Sequence, residues 1–281
     1  MTTMQDKLMM WGYVLDRIPS AMPFFLKGET SCSLETAADY LGIKNIVYMN
    51  SMFNPEALRA RNLPPGLGEE TLSEKFFRHL KKYERVVCAL EHKNYIASAE
   101  AISRFSLTHP NVKGALFDDF RVPTPGLEHT MIPPEQLRDI KAALKSRNSD
   151  LKLYLVSFDY QDMTEFVPYL EYFDVLTHWT WIPDMHYWNK YFLILQKIRG
   201  ITGKPVIHGL YIHDFGIDSG KPVPMDIFQA SVKKTFNYAA DGLLEGVIIP
   251  QNGWFADEEH REHVQWLKEY IEWFCGTRTV R

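Results

Sequence analysis

Cysteine is scarce in this chain. Its 281 residues hold three, Cys32, Cys88 and Cys275, an odd number with no C-x-x-C pair. That usage speaks against a disulfide framework and against a Cys-rich zinc site. No apolar run approaches the roughly 18 residues of a membrane-spanning helix. Basic runs are missing too. Lys81-Lys82 and Lys233-Lys234 are isolated pairs, and the net charge is −4. A nucleic-acid surface would carry the opposite balance, so neither a nucleic acid nor a membrane is expected as partner. No G-x-G-x-x-G follows the first apolar run, which weakens a dinucleotide-binding reading. H-E-x-x-H and D-x-x-D-x-D-x-E do not occur, and the first run carries no H-x-H. The N-terminal segment has no long apolar core and no A-x-A site, so a soluble cytoplasmic protein is expected.

What is present is apolar and aromatic. Hydrophobic residues make up 46% and charged residues 23%, the balance of a globular protein. Aromatic residues reach 14%, with 7 Trp, 14 Tyr and 17 Phe. Eight β-rich runs stand out, at 9–15, 45–50, 85–92, 114–120, 152–159, 174–181, 205–213 and 246–252. Amphipathic helical patterns separate them, at 71–83, 95–107, 133–147, 162–169, 187–201, 224–240 and 257–274. A shorter helix opens at Ser33, a candidate N-cap. The repeat of about 34 residues fits one strand, one helix and two loops. With no linker and no shift in composition, residues 1–281 are expected to form one α/β domain, a (β/α)8 TIM barrel. A doubly wound open sheet is the alternative. The long connections after the second, fourth and seventh strands all fall on the C-terminal face, where barrel enzymes build their sites.

Polar and aromatic residues gather at those strand ends. In order they are Asp16, Asn50, Glu91-His92, Asp118-Asp119, Asp159-Tyr160, His178-Trp179-Thr180-Trp181, Tyr211 with His213 and Asp214, and Gln251-Asn252 with Trp254. Asp118-Asp119 is the sharpest feature, because it follows the apolar run Gly114–Phe117. Side chains alternate along a strand, so one of the two faces the barrel axis. The blander reading makes one Asp a loop cap, or a partner of Arg121 or Arg17. His208 falls mid-strand and reads as a satisfied core residue. His260 and His263 read as surface residues of the last helix. Trp188, Trp266 and Trp273 read as packing residues on helices.

The chain resembles the (β/α)8 glycoside hydrolase superfamily at three places. They are Leu116-Phe117-Asp118-Asp119-Phe120, His178-Trp179-Thr180-Trp181 and Gln251-Asn252-Gly253-Trp254. The resemblance implies a catalytic carboxylate at the end of strand four and a sugar-stacking Trp at the end of strand eight. It implies a carbohydrate substrate, no cofactor and no metal. On this reading two carboxylates share the chemistry. One comes from Asp118 or Asp119, the other from Glu91, Asp159 or Asp214. Asp16, Asn50, His92, Asp159, His178, His213, Gln251 and Asn252 would bind hydroxyls, while Trp179, Trp181, Tyr211 and Trp254 would stack on sugar rings. Two alternatives stay open. One is a metal-dependent barrel hydrolase or isomerase using Glu91, His92, Asp119, Asp159, His178 and His213. The other is a glycan-binding barrel without catalysis. The chain is expected to be a monomer, or a homodimer joined through the last helix.

Overall fold

The computed structural model describes residues 3–12, 32–49, 72–124, 126–215, 221–250 and 252–277. Eight parallel strands close into a barrel in sequential order. They are β1 (Leu8–Gly12), β2 (Asn45–Tyr48), β3 (Arg85–Ala89), β4 (Val112–Phe117), β5 (Lys152–Phe158), β6 (Val175–Trp179), β7 (Val206–Gly209) and β8 (Gly246–Pro250). β8 returns to β1 with Leu8 opposite Val247. The helices are α1 (Leu34–Leu41), α2 (Glu74–Phe77), α3 (Tyr95–Phe105), α4 (Pro134–Lys145), α5 (Met185–Thr202), α6 (Met225–Ala240) and α7 (Arg261–Thr277). The expected TIM barrel is therefore the fold.

The helices form where local chemistry supports them. Ser33 accepts a hydrogen bond from the Thr36 amide and caps α1, while Asp184 caps α5 through the His186 amide. Gly42 and Gly203 end α1 and α5 with φ of 67° and 62°, the left-handed turn that glycine takes without strain. Between β5 and β6 the chain forms a 3-10 helix, Met163–Tyr169, with Pro168 inside it. Proline removes an amide donor and blocks a regular α-helix there.

Two packed layers hold the barrel. The outer one lies between strands and helices and contains residues such as Leu153, Leu176, Phe228 and Phe236. The inner one fills the barrel with Met9, Val47, Val87, Leu116, Val156, Trp179, Ile207 and Ile248. Strand alternation separates the two layers. At the bottom, Asn45 Nδ2 donates to the Asp6 and Leu8 carbonyls at 3.0 and 2.9 Å. Lys7 Nζ donates to the Ala239 carbonyl at 2.7 Å.

Glycine at three strand positions is a packing requirement. A Cβ on Gly209 would stand 2.0 Å from the Trp179 ring. On Gly114 it would stand 2.2 Å from the Lys152 carbonyl oxygen, and on Gly246 2.5 Å from the Lys7 carbonyl oxygen. Trp179 can cross the barrel because Gly209 leaves the space. The strands are shorter than the apolar runs suggest, β7 most of all. Beyond Gly209, His213 bridges Pro222 in antiparallel fashion, and the Asp214 amide donates to the Lys221 carbonyl at 2.9 Å. No helix among the described residues is long and apolar enough to cross a membrane.

Candidate active site

Asp118 lies two residues beyond Leu116, which belongs to the inner layer, so alternation aims it into the mouth of the barrel. The Asp119 amide donates to Asp118 Oδ1 at 3.0 Å. Asp119 itself has φ 49°, in the left-handed region. Asp, with a short polar side chain, tolerates that conformation better than most residues. Burial pushes the Asp118 carboxyl well above its ordinary range, and the neighbouring Asp119 charge adds to the effect. Burial also pushes Asp119 up to about 6. Two adjacent acids in poor solvent cannot both ionise easily, so they titrate as a pair.

The ion pair with Arg121 does not form. Arg121 donates to Tyr169 Oη at 2.8 Å and to Glu165 Oε2 at 3.2 Å. Among the described residues, no cation comes within ion-pair distance of Asp118 or Asp119. Gln161 ties their loop to the end of β5. Its Nε2 donates to the Phe120 and Arg121 carbonyls at 2.9 and 3.0 Å, and its Oε1 accepts from the Phe158 amide at 2.9 Å.

Facing the acids is a continuous aromatic wall. Phe158 and Tyr160 stack at 5.5 Å with an interplanar angle of 3°. Phe158 meets the edge of Trp181 at 5.5 Å. Trp181 contacts Tyr211 at 6.1 Å and Phe215 at 5.7 Å, and Tyr211 lies 4.9 Å from Phe215. Tyr160 is 54% exposed. Burial raises the Tyr211 phenol, and the charges of Asp118, Asp119 and Asp159 raise it further. Those three acids therefore share one neighbourhood with the wall. Asp159 accepts the Trp181 amide at 3.1 Å, and burial holds its carboxyl above the usual range.

Several expected site residues lie elsewhere. Leu176 is in the outer layer, so His178, two residues on, faces the helices. Its Nδ1 lies 3.0 Å from Ser157 Oγ and its Nε2 lies 3.0 Å from Tyr187 Oη. His178 is a buried core residue, not a hydroxyl binder at the mouth. Trp179 is 4% exposed, and its Nε1 donates to Thr177 Oγ1 at 3.1 Å. It fills the barrel instead of offering a stacking face. Trp254 is 2% exposed and stacks on His213 at 3.9 Å and 8°, so it presents no open floor. Glu91 lies 3.4 Å from Asn94 Nδ2 at the start of α3. Asp214 is buried at the base of the β7 hairpin. Neither shows contact with the Asp118–Asp119 pair. Asp16, Asn50 and Gln251 lie outside the described residues, as does the side chain of Asn252.

His208 is the core residue expected, with Nδ1 2.6 Å from Tyr191 Oη. His260 and His263, expected on the surface, are buried. His260 Nε2 lies 3.1 Å from His213 Nδ1, and its Nδ1 lies 3.4 Å from Asp257 Oδ2. His263 Nε2 lies 2.6 Å from the Val223 carbonyl. These contacts anchor the β7 hairpin to the start of α7. Trp188 packs as expected, whereas Trp273 is 56% exposed. Sequence reasoning missed Gln161, Phe215, Tyr95 and His129 near the mouth. Only Phe215 carried a signal, an aromatic next to a strand-end acid. Among the described residues, no three His, Cys, Asp or Glu side chains come together as a metal site.

No known family profile matches the chain. A protein of Treponema pallidum (strain Nichols), provisionally named a carboxypeptidase, is 31% identical over 71 residues. That match covers 25% of this chain and about a fifth of that protein. Among solved structures, a provisionally named α-L-fucosidase of Bacteroides thetaiotaomicron VPI-5482 superposes with a TM-score of 0.57 at 12% identity. It covers 87% of this chain and 85% of its own. An Anoxybacillus α-amylase gives 0.52 at 11% identity, over 99% of this chain and 80% of its own. The tryptophan synthase complex of Pyrococcus furiosus also gives 0.52 at 11%, over 98% of this chain and all of that one. At these identities the likeness shows the barrel fold, which hosts many chemistries.

Proposed function

We propose that this barrel is a glycoside hydrolase that works with paired carboxyls at its C-terminal mouth. One observation carries the reading. Two adjacent acids end β4, both pushed up by burial, beside the wall formed by Tyr160, Phe158, Trp181, Tyr211 and Phe215. A raised carboxyl holds its proton near neutral pH and can give it to a leaving oxygen. Asp118, aimed inward, is the proton donor on this reading. The second carboxylate attacks the anomeric carbon or activates a water. Asp119 and Asp159 are the candidates, because their charges reach the same Tyr160 and Tyr211 rings. Sugar C–H faces stack on aromatic rings, so the wall supplies the binding surface. The likeness to a fucosidase-like and an amylase barrel supports the scaffold only.

The test is hydrolysis of aryl glycosides and oligosaccharides by the full chain, by Asp118→Asn and by Asp119→Asn. Asp118→Asn is expected to lower kcat by about 10²–10⁴-fold, the usual contribution of a general acid. Two results overturn the reading: no release of any sugar by the native chain, or an Asp118→Asn variant within about threefold of it.

A further inference from the structure

Behind the acid pair, away from the aromatic wall, lies a second group of polar side chains. His92 follows β3, Tyr95 opens α3, and His129 sits in the β4–α4 loop. The His92 and His129 rings are 4.8 Å apart, and His129 stacks 6.4 Å from Tyr95. Tyr95 in turn stacks on Phe117 at 4.2 Å, one residue before the acids. Three atoms in this lobe are buried without a hydrogen-bond partner: His92 Nε2, His129 Nε2 and Tyr95 Oη. Tyr95 is only 4% exposed. An unmet buried polar atom leaves its desolvation uncompensated, and three in one place call for a ligand or a water. The backbone here is strained as well. The three non-glycine residues with positive φ among the described residues are Lys93, Asp119 and Arg121. All three lie in the two loops that build this corner, and such strain gathers at functional sites.

We propose that His92, Tyr95 and His129 form a polar subsite that receives a hydroxyl-bearing arm of the substrate beside Asp118 and Asp119. The proposal rests on the carbohydrate reading above and adds a second wall to it. The chemistry selects hydroxyls over anions. Burial lowers the His92 ring to about 4 and lowers His129 as well, so both are neutral at pH 7. A neutral imidazole offers a ring-nitrogen lone pair, and the Tyr95 phenol offers a proton. A hydroxyl satisfies both, whereas a carboxylate or phosphate would meet the lone pair and the neighbouring acids. The sugar would lie with one face on Trp181 and Tyr211 and one hydroxyl edge in this lobe.

The experiment is a titration of the full chain with D-glucose, D-galactose, L-fucose, N-acetyl-D-glucosamine and D-glucuronate. The readouts are the imidazole ¹⁵N resonances of His92 and His129 and the indole N–H resonance of Trp181. A neutral sugar should move all three together and saturate. Tyr95→Phe, which keeps the stack on Phe117, should weaken that sugar about 3–10-fold, the worth of one hydrogen bond. If a sugar moves Trp181 but neither histidine, the subsite is wrong while the hydrolase reading stands. If no sugar moves any of them, both fail. Tyr95→Phe that raises Tm with sugar affinity unchanged also overturns the subsite, because the three atoms would then share a buried water.

Discussion

Asp119 carries two costs at once, a left-handed backbone and a carboxyl in poor solvent. Its native carboxyl sits near 6, against about 3.9 in an unfolded chain. A raised acid favours the folded state below the unfolded value, and that contribution is lost as pH rises through the native value. Asp119→Asn should therefore stabilise the protein by about 1–3 kcal/mol at pH 7.5 and by little at pH 4. Asn accepts positive φ as readily as Asp, so backbone strain does not obscure the comparison. Thermal unfolding at the two pH values checks it. Activity should show the other side of the same shift. Asp118 must hold its proton and its partner must be ionised. With Asp119 as that partner, kcat/KM should fall on the acid side of about 6, by up to about tenfold per pH unit, and again on the alkaline side where Asp118 loses its proton. A flat profile from pH 5 to 8 would contradict that role.

At the scale of elements, the eight strands were legible because parallel strands covered on both faces read as apolar runs. Ser33 as the cap of α1 was also legible, since caps act locally. The strand ends were not. The run 205–213 continues in β-favouring residues, yet β7 stops at Gly209 and residues 212–214 pair with 221–223 instead. Gly209 itself shows how one element licenses another. A methyl group there would overlap the Trp179 ring at 2.0 Å. Gly209→Ala should lower stability by about 1–3 kcal/mol or more, the cost of overpacking, with a visible change in Trp fluorescence. A variant as stable as the native chain, with an unchanged spectrum, would mean that Trp179 has room to move.

The whole molecule responds to acid through its buried histidines. Burial holds His92, His178 and His260 down at about 4 and His208 well below its ordinary value. A depressed histidine favours the folded state above its unfolded pKa of about 6.5, and that contribution is lost as pH falls through the native value. At pH 5 each of the three held near 4 costs about 2 kcal/mol relative to pH 7, because the unfolded chain takes up the proton and the folded one does not, and His208 adds in the same direction. Asp118 and Asp119 work in the opposite direction, Asp119 offsetting about 1 kcal/mol over that range and Asp118 at most about 3 kcal/mol. The histidines win, so Tm should fall steadily from pH 7 to pH 5. His208→Gln should flatten that fall, since it removes one proton-binding group from the unfolded chain. A Tm that rises on acidification would show that the acids outweigh the histidines.

The sequence by itself determined the barrel, the side of it that carries the polar residues, and the Asp118–Asp119 pair. All three follow from period, order and strand alternation, which are properties of neighbours in the chain. Only the tertiary structure decided which side chains meet. His178 and Trp179 are adjacent, yet one enters the helix layer and the other plugs the barrel. Trp254, Trp179 and Trp181 are the same residue type at similar strand ends, and only Trp181 keeps a place on the open wall. Tyr95 and His129 gave no local signal, because they join His92 only once two loops fold over the ends of β3 and β4. Burial, charge and hydrogen bonding at that corner arise between segments distant in sequence, and no local pattern records them.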